Sequence, residues 1–321
     1  MRYRVLPGVD REASVIAMGS THFGTFVSEQ ETYDILDAYV ALGGNFIDTA
    51  RVYGDFENGI VGISEGVIGR WMQLRGNRES LIVETKGAHP PMDKMLDHRL
   101  DRDSIQGDMA RSLEALQLDG VDLYYLHRDQ PDRAVGGIME TLHSFVEAGF
   151  TRAIGASNWS ADRILEANDY AVSHGLTPFT VNQPQWALAN MQIAEDPTLV
   201  HMNPEMYQMH RQTGMACVPY SSQAKGFFIK LFEGGQQSLN AKVADRYLNP
   251  GNLRIYDALK AIHDKTGTSV GALALAYLTG QPFPTFPIVG VSKLSQVQAL
   301  AEAGDAVLTD EDRAVLSGLA M

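Results

Sequence analysis

Four side chains capable of acid–base or hydrogen-bond chemistry stand at or just beyond the carboxyl ends of short apolar runs in this 321-residue chain. Asp48 ends Phe46-Ile47-Asp48, and Tyr53 follows it by five residues. Lys86 lies in Glu84-Thr85-Lys86-Gly87, and His127 in Leu126-His127-Arg128. Buried near one another, they have a clear logic. Asp48 neutralises Lys86, and Lys86 then favours the ionised form of a neighbouring phenol such as Tyr53. A free tyrosine has a pKa of about 10, so it needs such help to act as an acid near neutral pH. Taken singly, Asp48 and Lys86 read as a structural ion pair and His127 as a satisfied core histidine. Their coincidence at several strand ends points instead to a catalytic constellation.

Bringing such residues together requires strands that end on one rim. Eight short apolar runs recur, at 15–19, 45–50, 81–86, 123–127, 153–158, 180–183, 216–221 and 287–291. They are continuously apolar, as strands covered on both faces are. Between them, 28–42, 64–73 and 104–118 have helical spacing, and a further helix starts at Thr268 or Ser269 and runs through Tyr277. Ser64 and Ser104 are expected N-caps. Gly43-Gly44, Gly76 and Gly120 are expected left-handed caps at helix ends. Eight βα units predict a single (β/α)8 TIM barrel over residues 1–321. The competing doubly wound sheet lacks its Gly-x-Gly-x-x-Gly turn after the first strand. Residues 3–13, with Pro7-Gly8, are expected to form an N-terminal β-hairpin that plugs the barrel floor.

Composition narrows the function classes. Hydrophobic residues make up 45% and charged residues 20%, which excludes a disordered chain. Lys and Arg total 26 against 39 Asp and Glu, a net charge of −13. Nucleic acid and anionic membrane are therefore not expected partners, and any bound phosphate must meet local donors. Cys217 is the sole cysteine, so no internal disulfide forms. With no signal peptide at the N-terminus, the expected location is cytoplasmic. The most apolar stretch, 270–278, is too short for a membrane span.

In order along the chain, these motifs resemble the aldo-keto reductases, most closely a bacterial branch with short terminal tails. The resemblance is carried by Asp48 with Tyr53, by Lys86 in Glu-Thr-Lys-Gly and by His127 in Leu-Tyr-Tyr-Leu-His. It continues through Gly155-Ala-Ser-Asn-Trp, Val181-Asn-Gln and Val218-Pro-Tyr-Ser, and spans Gly19 to about Ala299. Each motif alone is weak; the ordered set is specific. It implies an NADP(H)-dependent oxidoreductase, without metal, that reduces the carbonyl of small aldehydes, ketones or sugar-like substrates. By that resemblance Tyr53 is the general acid, Lys86 the adjacent positive charge, Asp48 its holder, and His127 the group that orients the carbonyl.

The same resemblance implies a set of cofactor contacts. Ser157, Asn158 and Gln183 would bind the nicotinamide carboxamide, and Tyr220 would stack on its ring. Ser221, Ser222 and Gln223 would lie along the pyrophosphate. Ser292 and Lys293, with Gln296 nearby, would take the 2′-phosphate. Ala299 and Leu300 stand where many relatives carry an acidic residue and Asn, so adenine contacts differ and NADH is the alternative to NADPH. Candidate substrate walls are His22, Phe23, Phe56, His89, Arg128 and Trp159. The long segment 225–254 is a candidate lid. Two other readings stay open at this stage. One is a metal-dependent sugar isomerase or hydrolase barrel using His127, Asp48, Glu84 and Asp129, against which Lys86 would repel a cation. The other is a cofactor-binding regulatory or accessory subunit on the same fold.

Overall fold

Apolar runs with two faces to bury find cover on both when a parallel sheet curls on itself and helices wrap its outside. The computed structural model describes residues 1–55, 59, 61–192 and 196–320. An antiparallel pair, β1 (Tyr3–Leu6) and β2 (Arg11–Ser14), precedes eight strands. These are β3 (Ala17–Gly19), β4 (Phe46–Asp48), β5 (Ile82–Gly87), β6 (Val121–Leu126), β7 (Thr151–Ser157), β8 (Val181–Gln183), β9 (Ala216–Cys217) and β10 (Ile288–Gly290). Their order is β10-β3-β4-β5-β6-β7-β8-β9, with every neighbour parallel. Backbone bonds close the seam beside β9: Cys217 N donates to Pro284 O at 2.8 Å, Phe286 N to Cys217 O at 2.8 Å and Ile288 N to Pro219 O at 2.9 Å. The expected (β/α)8 barrel and its hairpin are both present. β9 is shorter than the run 216–221 suggests, because Pro219 has no N–H for the ladder.

Two apolar clusters divide the core. The inner one fills the barrel with Phe46, Ile82, Leu123, Tyr125, Ala153, Val181 and Phe286, and includes Leu6, Val9 and Ala13 of the hairpin. The hairpin is thus the floor. Arg11 fastens it by donating to Leu81 O at 2.9 Å and pairing with the buried Asp122 at 3.4 Å. The outer cluster lies between the strands and the helices.

Those helices include α1 (Glu29–Ala41), α2 (Ile63–Arg75), α3 (Arg102–Leu116), α4 (Val135–Glu147), α5 (Ala161–Ser173) and α6 (Pro204–Thr213). Neither serine expected to cap does so. Ser64 lies inside α2, buried, and its hydroxyl donates to Ser20 O at 2.9 Å. The N-cap of α3 is Asp101, which accepts from Ser104 N at 2.9 Å; a carboxylate there also meets the positive end of the helix. Gly43 and Gly76 take positive φ as expected, but Gln117 rather than Gly120 does so after α3. Gly120 serves close packing instead: a Cβ there would lie 2.6 Å from Gly149 O.

Beyond β9 the chain forms α7 (Phe227–Gly234), α8 (Ala241–Tyr247), α9 (Pro250–Thr266), α10 (Val270–Thr279), α11 (Val297–Asp305) and α12 (Asp310–Ala320). Ser269 caps α10. The candidate lid is a packed layer: Phe227, Phe228, Leu231, Val243 and Tyr247 are all buried. No helix among the described residues is long and apolar enough to cross a membrane.

One glycine links the barrel wall to its interior. Gly155 of β7 is the register partner of Tyr125 on β6. A Cβ at Gly155 would meet Tyr125 Cε1 at 2.6 Å and Val181 O at 2.8 Å. Backbone and a packed ring leave no room to yield. Gly155→Ala is expected to destabilise the fold by about 1–3 kcal/mol in urea unfolding; unchanged stability would contradict this packing.

Candidate active site

Alternation along β5 sends Ile82, Glu84 and Lys86 into the barrel, and the register sets Asp48 of β4 beside Glu84. Lys86 has no solvent exposure. Its Nζ donates to Asp48 Oδ1 at 2.5 Å, Thr49 O at 2.8 Å and the Tyr53 hydroxyl at 3.1 Å. An ammonium has three protons, and each has a partner. Burial works against the charged lysine. Asp48 outweighs that and holds the ammonium above its ordinary value.

Lys86 favours ionisation of Tyr53, as expected, but does not make it a readier acid on balance. Burial pushes the phenol up, Lys86 pulls it down, Asp48 pushes it up again, and the result lies above the ordinary tyrosine value. Tyr53 therefore stands protonated, with a cation 4.7 Å from its ring centre.

His127 packs edge-on against Tyr53, with ring centres 5.9 Å apart, and against His89 at 4.7 Å. Burial, then His89, Arg128 and Lys86, keep its pKa well below normal, so the ring is neutral. Its Nδ1 is buried without a hydrogen-bond partner. A buried N–H without an acceptor is unfavourable, which puts the proton on Nε2 and makes that nitrogen the donor. His89 is neutral too: burial and Arg128 lower it to about 4. Arg128 is 9% exposed and donates to His127 O at 2.9 Å and Thr198 Oγ1 at 3.1 Å. It ion-pairs with no carboxylate among the described residues.

A polar group adjoins this cluster. Asn158, at φ +61°, donates to His127 O and Ser157 Oγ, both at 3.1 Å. It accepts from Val200 N at 3.1 Å and the Tyr220 hydroxyl at 2.7 Å. Ser157 Oγ donates to Gln183 O at 2.9 Å. Gln183 Nε2 donates to Asp48 Oδ1 at 3.0 Å and Glu84 Oε1 at 3.1 Å. The structure thus joins Asp48, Tyr53, Lys86 and His127 to Ser157, Asn158, Gln183 and Tyr220 at one end of the barrel. It adds Glu84 and Tyr125, whose hydroxyl donates to Glu84 Oε2 at 2.9 Å. Their signal was available: Glu84 precedes Lys86 by two, and residues two apart on a strand share a face.

Other candidates fall elsewhere. Trp159 and Phe23 are fully buried in the helix-side core. The Trp159 indole donates to Arg128 O at 3.2 Å and its ring packs on Phe179, so it is a packing residue rather than a pocket wall. Phe56 lies outside the described residues. Ser222 is buried and donates inward to Ile288 O at 2.6 Å, leaving half-buried Ser221 and Gln223 at that turn. At the end of β10 the backbone N–H groups of Ser292 and Lys293 converge on Gln296 Oε1, at 2.8 and 3.1 Å. The Ser292 hydroxyl reaches the same oxygen at 3.4 Å. Such convergence on one oxygen is what an anion requires. Leu300 is buried. Asp129 pairs with Arg163 at 3.2 Å, and no three His, Cys, Asp or Glu among the described residues gather as metal ligands. A cavity of about 350 Å³ opens beside His89, lined also by Arg51, Asp55, Arg99, Asp108 and Arg111.

Comparison with known proteins agrees with this fold. The profile of the Aldo/keto reductase family matches residues 15–320. The chain is 30% identical over 348 residues to "Aryl-alcohol dehydrogenase [NADP(+)]" of Phanerodontia chrysosporium, covering 98% of this chain and 85% of that protein. It is 29% identical over 329 residues to norsolorinic acid reductase stcV of Emericella nidulans, covering 97% and 79%. A crystal structure of the thermostable aldo-keto reductase Tm1743, in complex with epalrestat, matches with a TM-score of 0.73. It covers 99% of this chain and 100% of that one at 22% identity, a likeness of fold.

Asn158 carries the left-handed backbone and all four bonds that tie His127, Ser157, Val200 and Tyr220 together. Asn158→Ala and Asn158→Gly lose the same bonds, but only alanine also strains the backbone. Urea unfolding should show both destabilised, alanine by about 1 kcal/mol more. Equal losses would show that the backbone relaxes freely.

Proposed function

From the premise that the chain belongs to the aldo/keto reductase family, we propose that it is an NADPH-dependent reductase of small aldehydes, ketones or sugar-like carbonyl compounds, with Tyr53 as general acid. The observation that carries this reading is the Lys86 ammonium, bonded at once to Asp48 and to Tyr53.

A nicotinamide held by Gln183 and Tyr220 would, when bound, supply hydride for the carbonyl carbon. The chain's own residues handle the oxygen. Tyr53, protonated at rest, gives its proton as charge develops there. Lys86 stabilises the phenolate left behind, and Asp48 keeps Lys86 in place. The neutral His127 donates from Nε2 to the same oxygen. Donors fixed in a dry site need little rearrangement during reaction, which is the oxyanion logic.

The polar residues suit the cofactor. Gln183 turns its NH₂ to Asp48 and Glu84, so its carbonyl oxygen is the end left to accept from a carboxamide. Asn158 is engaged at both ends and contributes only if Val200 or Tyr220 yields a bond. Tyr220, half-buried at the rim, is the stacking surface. Ser221 and Gln223, rather than the Ser222 hydroxyl, line the pyrophosphate. Ser292 and Lys293 form the local cationic cradle that a 2′-phosphate needs in a chain of charge −13, with Gln296 Oε1 standing where a phosphate oxygen would be held. This favours NADPH over NADH. The cavity beside His89 mixes the Arg51–Asp55 and Arg99–Asp108 pairs with Val52, Pro90, Pro91 and Met92, which suits a substrate with both polar and apolar parts, and the aryl-alcohol relative brings aromatic carbonyls into range. The lone, buried Cys217 fits a reducing cytoplasm.

Tyr53→Phe should bind NADPH as the wild type does and lose about 100-fold or more of carbonyl reduction, followed as NADPH oxidation. Undiminished reduction would overturn the assignment.

A further inference from the structure

The mechanism leaves Glu84, a buried acid within the Lys86 cluster itself, unused. Glu84 has no solvent exposure and is the register partner of Asp48. Gln183 Nε2 bridges the two, at 3.1 Å to Glu84 Oε1 and 3.0 Å to Asp48 Oδ1. Tyr125 seals the other oxygen at 2.9 Å, reaching it because Gly155 leaves room for its ring. Two carboxyls thus stand side by side in the barrel beneath one lysine.

We propose that Glu84 is a positioning residue: as a neutral carboxylic acid it donates a hydrogen bond to Asp48 and locks the Gln183 amide, so that Lys86 keeps one carboxylate partner and stays directed at Tyr53. Its kinetic consequence rests on the reductase reading above; its structural consequence does not.

The surroundings of Glu84 support this. Asp48 faces it from β4, Lys86 from its own strand with Tyr53 beyond, Tyr125 from β6 and Gln183 from β8; Cys217 of β9 faces Tyr125. Lys86 is the single cation. With both acids ionised, two negative charges would share one positive charge without water, which adjacent buried carboxylates avoid by retaining a proton. That proton belongs on Glu84, because Asp48 holds the 2.5 Å contact with Lys86. Burial and then Asp48 push Glu84 well above the carboxylate range. The bridge also fixes Gln183: a flipped amide would set its oxygen against two carboxyl oxygens. The end offered to a carboxamide is thereby determined.

The test compares Glu84→Gln, which keeps donor and acceptor but cannot ionise, with Glu84→Leu, which has neither. The first readout is thermal stability of the protein without cofactor. An acid whose folded pKa is raised contributes stability that is full below its unfolded value, about 4.3, and is lost as pH rises through the folded value. The melting temperature of Glu84→Gln should therefore gain on the wild type as pH rises from roughly 5 to 9. A difference independent of pH would overturn the proposal. The second readout is kinetic. Glu84→Leu should lose at least tenfold in kcat for carbonyl reduction and raise the NADPH KM severalfold, and Glu84→Gln should rescue most of both losses. Equal damage by the two variants would also overturn it. If the wild type reduces no carbonyl compound, the reductase reading fails, and the stability comparison still decides the state of Glu84.

Discussion

A lysine ammonium without water contact is the constraint on which this barrel mouth depends. Removing a charge from water is expensive, and only close, well-directed partners compensate. Lys86 has three, one per proton: Asp48, the Thr49 carbonyl and Tyr53. Two of them restrain the lysine and the third receives its charge. Tyr53 remains protonated because burial outweighs the pull of Lys86. In the proposed reaction Lys86 would supply a charge already in place for the moment the phenol gives up its proton. No reorganisation of water is then needed.

The remaining architecture keeps that pair dry and aimed. Strand alternation turns Asp48, Glu84, Lys86 and Gln183 into the barrel interior, with Lys86 one level above the two carboxyls. Below them Phe46, Ile82, Tyr125 and the hairpin residues Leu6, Val9 and Ala13 close the interior. Above, Asn158 clamps the His127 carbonyl, Ser157, the Val200 amide and Tyr220. His127 and His89 stay neutral beside Arg128, because burial and surrounding cations both oppose a second positive charge. Asp48, which holds the lysine, also holds Gln183, one of the residues that would receive the cofactor.

Much of this was legible in the sequence. Barrel strands are buried on both faces, so they appear as continuous apolar runs, and the polar residues at their carboxyl ends stand out. That reasoning located all eight strands and the hairpin, and it named four residues that the structure gathers at one end of the barrel. It failed where the outcome depends on competition between neighbours. Ser64 and Ser104 look like caps, but Gly62 and Asp101 hold the capping positions. Trp159 follows the Ser157-Asn158 pair, yet its ring turns into the helix-side core. The net direction for Tyr53 required knowing that burial exceeds the effect of Lys86. The proton on Glu84 required knowing that Asp48 is its neighbour and that one lysine serves both. Contacts between strands decide these points, and linear spacing does not contain them.

The central claim is that this cluster protonates a carbonyl oxygen while hydride reaches carbon. It is tested most directly by incubating the protein with NADPH carrying deuterium at both C4 positions of the nicotinamide and a panel of aldehydes, aldoses and ketoses, then examining the products by mass spectrometry. The account predicts an alcohol carrying one deuterium at the former carbonyl carbon. Cofactor left unoxidised across the whole panel, or an alcohol product without the label, would contradict it.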